Sequence, residues 1–352
     1  MKKEILRTLL LGAVLCAVLA LACAEDVRTS GSWQYVPRAD GSAELLNYAG
    51  PGGEIVIPDE LDGRTITAVR KYPFLGVHEK FTVSVRRGHP YLATIDGVLF
   101  GKTDWKLICC PSSLKLTEYR VPDGIERIGD LAFYANTSLR SVTLPEDLKS
   151  LDSTVFYMCD KLERINLPYS LNEIADNPFC YCRALTTVEI PVGHPYLATI
   201  DGVLFTKPDR RLLAYPIQYT AKEYRIPEGI EAIAGYAFCG NESLQSVEIP
   251  AGVKTIGDYA FTICTGLRSV VIPEGVTSIG KGAFAANSSL TDVTIPASVT
   301  FIGEEVFYNV EDVTVHAPAG SYAERYCRDH NIACTVSAGG SLGDEDTDWL
   351  KH

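Results

Sequence analysis

Apolar side chains return along this chain at fixed intervals. In 139–159, LRSVTLPEDLKSLDSTVFYMC, the apolar positions are Leu139, Val142, Leu144, Leu148, Leu151, Val155 and Phe156. The next run starts at Leu162, with Ile165 and Leu167, and others start at Leu185, Leu244, Leu267 and Leu290. Val142 and Leu144 alternate with Ser141 and Thr143, the two-residue period of a half-buried strand. A proline ends that strand each time, because it has no N–H to continue a ladder. A second short extended piece follows, as at 276–279, and then a glycine. The Ala283-Phe284 pair beyond it predicts a short helical turn that drives one phenylalanine into the core.

The interval is long-range. Pro122, Pro145, Pro168 and Pro191 recur 105 residues later as Pro227, Pro250, Pro273 and Pro296, and inside each half the spacing is 23 residues. The segment GHPYLATIDGVLF occurs unchanged at 88–100 and 193–205. A fixed period of this size means stacked coils, since one coil cannot hide its apolar face but its neighbours can cover it. Phe133, Phe156, Phe179, Phe238, Phe261, Phe284 and Phe307 are the expected aromatic spine. Two places break the rhythm. The coils before Pro122 and between Pro191 and Pro227 are 36 residues long, and 59–87 lacks the glycine and alanine of the unit, leaving its register open.

Composition changes the picture only at the ends. The chain has 352 residues, 46% apolar and 22% charged, which is the make-up of a folded protein. Its length alone would suggest two or three domains, but a repeat grows coil by coil. Lys2, Lys3 and Arg7, the apolar run 9–21 and Ala22-Cys23-Ala24 read as a secretory signal peptide cleaved after Ala24. A run of 13 is too short to span a membrane, which takes about 20 residues. A lipid anchor at Cys23 is the alternative, although Ala20 stands where a lipobox prefers leucine. Cleavage would leave 29 basic and 43 acidic side chains, a net charge of −14. That disfavours nucleic acid and anionic membranes as partners. The expected organisation is a signal peptide at 1–24, an N-terminal capping segment at 25–57 and a solenoid at 58–317. Within the solenoid, a super-repeat spans 88–192 and 193–297. A C-terminal cap at 318–336 and a flexible acidic tail at 337–352 complete it.

The unit Leu-x-x-Val-x-Ile-Pro-x-x-Val-x-x-Ile-Gly-x-x-Ala-Phe-x-x-Cys, complete at 244–264, resembles the bacterial leucine-rich repeats of the BspA type. The likeness covers roughly 33–336, with the DGVLF-containing insertions similar to that family's longer coils. The resemblance implies an α/β solenoid, a right-handed leucine-rich-repeat superhelix of short parallel strands with short helical turns, dominated by strand. It also implies a closing cap with a helix through about Asp329, a secreted or cell-surface location, a role in adhesion or host-protein binding, and no enzymatic activity.

Candidate chemistry is sparse. Asn136, Asn241 and Asn287 begin glycosylation sequons, yet they occupy the repeat slot filled elsewhere by Cys159, Cys182 and Cys264, which favours a structural role. Nine cysteines remain after cleavage, and secretion permits disulfides. Those at the repeat slot are expected as thiols, whereas Cys327 and Cys334 flank the cap helix and could bridge. His89 and His194 are one position in two copies and read as turn residues. Asp96-Gly97 and Asp201-Gly202 read as hairpin turns. No metal, cofactor or catalytic constellation is specified.

The outward residues of the strand before each proline form a polar strip: Ser141 and Thr143, Arg164 and Asn166, Thr187 and Glu189, Ser246 and Glu248, Ser269 and Val271, Asp292 and Thr294. Arg164, Asn166, Glu189, Glu248 and Asp292 are its candidate ligand contacts. Tyr134, Tyr157 and Tyr181, just after spine phenylalanines, are candidate anchors on another edge. The functional expectation is a non-enzymatic extracellular scaffold that binds a protein or glycan. A passive spacer of the cell envelope is the alternative, and a hydrolytic enzyme a more distant one.

Overall fold

The structure is a computed structural model that describes residues 26–337. The segment expected as a signal peptide, with Cys23 and Ala24, and the tail beyond Ser337 lie outside the described residues. Residues 26–208 with 213–218 form one compact unit, and 209–212 with 219–337 form a second.

Unit 1 opens as an antiparallel meander, Arg28–Ser30 on Trp33–Pro37 on Ala43–Tyr48. Ala43–Tyr48 then pairs in parallel with Arg64–Val69, and Gly53–Ile57 with Phe81–Val85. Residues 59–87 therefore carry two strands of the stack, with Tyr72, Phe74 and Leu75 buried beside them. Beyond this point two parallel rows run through the unit. The first holds Glu118–Arg120, Ser141–Thr143, Arg164–Asn166 and Thr187–Glu189. The second joins Lys106–Cys109 to Arg127–Ile128, Ser150–Leu151 and Glu173–Ile174. Leu167 donates the last bond of its strand to the Glu189 carbonyl at 2.8 Å, and Pro168 then stops the ladder.

Unit 2 is built the same way. Glu223–Arg225, Ser246–Glu248, Ser269–Val271, Asp292–Thr294, Thr314–Pro318 and Ala333–Ser337 make one parallel row. Arg211 and Leu212 begin the other, which continues through Ala232–Ile233, Thr255–Ile256, Ser278–Ile279 and Phe301–Ile302. The helix Tyr322–Asp329 crosses from Thr314–Pro318 to Ala333–Ser337. Ser321 caps it by accepting from the Glu324 N–H at 3.2 Å, and the Glu324 carboxylate accepts in return from Gly320 N–H at 2.6 Å.

The expected short helical turns at the Ala-Phe segments are instead runs of hydrogen-bonded turns. Alternate amides serve different coils. Ala132, Tyr134 and Asn136 donate three residues back, while Phe133 and Ala135 donate to Val155 and Tyr157 of the next coil. A helix would keep all of these bonds to itself. The compromise needs left-handed backbone at Leu131 and Ala135, Thr154 and Met158, and then at Tyr259 and Ile263. Such conformations cost about 1–3 kcal/mol each and persist only where surrounding bonds over-determine them.

The phenylalanines stack in each unit as the period demands. Phe133, Phe156 and Phe179 follow one another at 5.1 and 5.8 Å, and Phe238, Phe261, Phe284 and Phe307 at 4.7, 5.3 and 6.0 Å. All interplanar angles in these stacks are 18° or less. The repeat slot is equally regular. Asn287 Nδ2 donates to the Phe261 carbonyl, Cys159 Sγ to that of Phe133 and Cys264 Sγ to that of Phe238, each 26 residues upstream. Asparagine and cysteine are interchangeable here because the slot requires one buried donor. All three sequon asparagines are buried; Asn136 donates to the Cys110 carbonyl in the same way, and Asn241 to the Tyr219 carbonyl, 22 residues upstream.

Candidate functional site

The first parallel row of unit 1 sets the site. Period-two alternation buries Val142 and Ile165 and leaves Thr143, Arg164, Asn166 and Glu189 exposed. In register, Arg164 lies beside Thr187 and Asn166 beside Glu189. These side chains border an open groove of about 620 Å³, walled by Glu146, Pro168 and Pro191.

The side chains around the groove keep unspent hydrogen-bonding capacity. Arg164, Asn166, Glu189 and Glu146 make no side-chain hydrogen bond or ion pair with any described residue. Charged neighbours are otherwise engaged: Arg140 pairs with Glu163, and Arg120 with Asp123 at 3.2 Å. In unit 2, Glu248 pairs with Arg225 at 3.3 Å. Asp292 accepts from Thr291 Oγ1 at 2.6 Å and meets His316 Nε2 at 3.0 Å. Those contacts hold its carboxyl below the usual range, the Thr291 hydrogen bond most of all. Of the candidate contacts, Arg164, Asn166 and Glu189 are brought together, and Glu248 and Asp292 belong to the sheet of unit 2.

The internal duplication supplies a control. Val142, Ile165, Val188 and Pro168 correspond to Val247, Val270, Val293 and Pro273, so the packing positions stay apolar or proline. Arg164, Asn166, Glu189, Glu146 and Tyr169 correspond to Ser269, Val271, Thr294, Ala251 and Glu274. The copies share a core and differ at the groove.

The tyrosine edge is a correction. Tyr157 and Tyr181 are buried, at 2% and 3% exposure, and Tyr134 is half-buried. Tyr134 stacks on Tyr157 at 6.0 Å and 14°, and Tyr157 meets Tyr181 edge-on at 6.0 Å. A helical turn would have turned these rings outward, whereas the left-handed corners tuck them into a second aromatic file. Burial accordingly pushes the Tyr134 phenol up. The exposed ring is Tyr169, at 54%, one residue past groove-lining Pro168, and fully exposed Val192 stands at the matching place past Pro191. The sequence carried the signal for both, since they share the register position after the proline.

Tyr169 is seated by His194, ring to ring at 5.6 Å. His194 is itself fixed: Nδ1 accepts from the Tyr196 and Leu197 amides at 3.1 Å each, and Nε2 lies 3.0 Å from the Pro168 carbonyl. His89 repeats the amide contacts at 3.2 and 3.1 Å, but its Nε2 faces Asp59 Oδ1 at 3.9 Å. Burial lowers the His89 pKa, against the pull of the Asp59 carboxylate. Both histidines are turn residues. Asp96-Gly97 and Asp201-Gly202 turn antiparallel hairpins, with φ of 50° and 79° in the first.

Cys327 and Cys334, which could have bridged, are free thiols, Cys327 buried and Cys334 half-buried. Burial pushes the Cys327 thiol up to about 12, with the Cys334 sulfur adding to the effect. The cap helix is held instead by Tyr326 Oη on the Gly303 carbonyl at 3.1 Å and Ile332 N–H on the Cys327 carbonyl at 2.8 Å. Among the described residues, no three of His, Cys, Asp or Glu converge as a metal site, and no helix is long and apolar enough to cross a membrane.

Parallel rows at a 23-residue step, a stacked phenylalanine file and a polar groove on the strand face define a strand-dominated repeat solenoid. Residues 108–208 and 217–322 match the BspA type leucine rich repeat region in six copies, and the chain belongs to that family. No curated protein matches the chain. Among solved structures it is similar to a leucine rich cell surface protein of Faecalibacterium prausnitzii A2-165, at 23% identity and TM-score 0.50 over 89% of this chain and 98% of that one. It is similar also to a leucine-rich repeat protein of Eubacterium ventriosum ATCC 27560, at 22% identity and TM-score 0.52 over 82% and 77%. A third is the pneumococcal vaccine antigen PcpA, at 16% identity and TM-score 0.50 over 89% and 99%. At these identities the likeness establishes the fold. Proteins of the family are in general non-enzymatic repeat scaffolds, typically on the cell surface or secreted.

Proposed function

We propose that this chain is a secreted or surface-held binding scaffold, wound as a right-handed superhelix, that captures an extracellular ligand in the groove over Arg164, Asn166 and Glu189. The observation that carries the reading is the set of unengaged polar side chains gathered there, at positions where the internal copy has different residues. Divergence at exposed positions over a kept core also suits a solvated face, so it is the gathering of unengaged donors and acceptors around one groove that favours binding.

The reading gives an adhesion role without chemistry of its own. Immobilised mucin and fibronectin, presented to the purified mature chain, test it. Saturable binding that is weakened at least tenfold by Arg164→Ala together with Glu189→Ala is the expected result. Binding that ignores both substitutions would leave the envelope-spacer reading in its place.

A further inference from the structure

Resting on the groove as the binding face, we infer that its ligand is a neutral oligosaccharide, with Tyr169 as the stacking platform. The central strand under the groove is interior to its sheet, and Thr187–Glu189 is the sheet's last strand. Arg164–Asn166 is paired on both sides, by Ser141–Thr143 and by Thr187–Glu189. At Arg164–Asn166 no backbone edge is therefore open to an added peptide strand, the usual route by which a sheet reads an extended chain. Over that strand recognition comes from side-chain tips.

Those tips are of mixed character. Arg164 only donates, Glu189 and Glu146 only accept, and Asn166 does both. Opposite charges sit on neighbouring strands, so the groove holds no strong field of one sign to select a highly charged ligand. A sugar hydroxyl donates and accepts at one atom, and adjacent hydroxyls on a pyranose present such pairs side by side. A close array of donors and acceptors with no competing internal partners suits that chemistry.

The apolar component is in the right place as well. No aromatic lines the groove floor, so the deep side-chain pocket that anchors most protein ligands is missing from it. The aromatic stands at the rim instead. Tyr169 is braced by His194 and keeps over half its surface in solvent. A braced, exposed ring offers a flat apolar face to the C–H face of a pyranose, while its hydroxyl stays wet. At about 620 Å³, the groove falls within the range of small-ligand sites.

The test uses the mature chain on a printed array of neutral oligosaccharides, beside mucin before and after enzymatic removal of its glycans. The inference expects retention of at least one neutral oligosaccharide, loss of mucin binding on deglycosylation, and a tenfold or greater weakening by Tyr169→Ala and by Glu189→Gln. Circular dichroism of the variants should match that of the parent, since both side chains are exposed. Mucin binding that survives deglycosylation would overturn the carbohydrate assignment and leave the binding scaffold standing. An array that retains nothing overturns it too, and failure to bind mucin or fibronectin in any form removes both readings together.

Discussion

At the scale of single residues, the slot shared by asparagine and cysteine is the sharpest case of sequence and physics agreeing. Asn287 donates to the Phe261 and Phe284 carbonyls, while its Oδ1 is buried without a partner. Asn287→Ala removes the donor and leaves buried carbonyls short of a bond, costing about 1–3 kcal/mol. Asn287→Cys keeps one donor, as Cys264 does one coil earlier, and discards the orphaned oxygen, so its cost should be clearly smaller. Urea midpoints that fall equally for both variants would contradict this account. His89 belongs to the same scale. Its folded pKa is lowered, so the unfolded chain takes up a proton first as pH falls below about 6.5. Its contribution is complete above that pH and is lost progressively below it. Midpoints measured from pH 7.5 to 5 should therefore drop less steeply in His89→Gln than in the parent. Parallel pH profiles would show that the buried imidazole is not the group responsible.

At the scale of the coil, the strands were legible because period-two patterning and proline stops are written in the residues that make them. The corners were not. Nothing about Leu131, Ala135, Thr154 or Met158 announces a left-handed backbone; Ala135 and Met158 are held there by amide bonds to the next coil, with partners 22 residues away. The same hidden corners make Tyr157 and Tyr181 look like surface anchors in the sequence. The glycine after the second strand, by contrast, was visible and has a plain cause. A Cβ on Gly280 would lie 2.5 Å from Asp258 N and 2.6 Å from the Gly257 carbonyl carbon, so the two backbones must approach closely. Gly280→Ala forces the coils apart and should cost about 1–3 kcal/mol. Gly229→Ala, with nothing near its Cβ, separates this effect from simple backbone strain, because Gly229 has φ of 86° and Gly280 has no such constraint. If Gly280→Ala proved as stable as the parent, the close-approach explanation would fail.

At the scale of the molecule, the duplication is an experiment already half done. A stretch of about 105 residues occurs twice, and the second copy shows which surface residues the coil accepts at the groove positions. Replacing Arg164→Ser, Asn166→Val, Glu189→Thr, Glu146→Ala and Tyr169→Glu writes the second copy's face onto the first. Every new side chain already stands at the corresponding place in the second copy, and exposed substitutions are usually worth within about 0.5 kcal/mol each. The chimera should unfold within about 2 kcal/mol of the parent and give the same circular dichroism. Its ligand binding should fall at least tenfold, about 1.4 kcal/mol. The sequence alone exposed the strip but could not choose between its two halves, because choosing required knowing which charges find partners. Arg225 reaches Glu248 and His316 reaches Asp292, whereas no described side chain reaches Arg164 or Glu189. If the chimera folds and binds like the parent, the contrast between the copies is drift on a solvated surface and the groove of unit 1 is not the binding face. If it folds and binding is lost, function has been separated from fold with residues that the protein itself supplies.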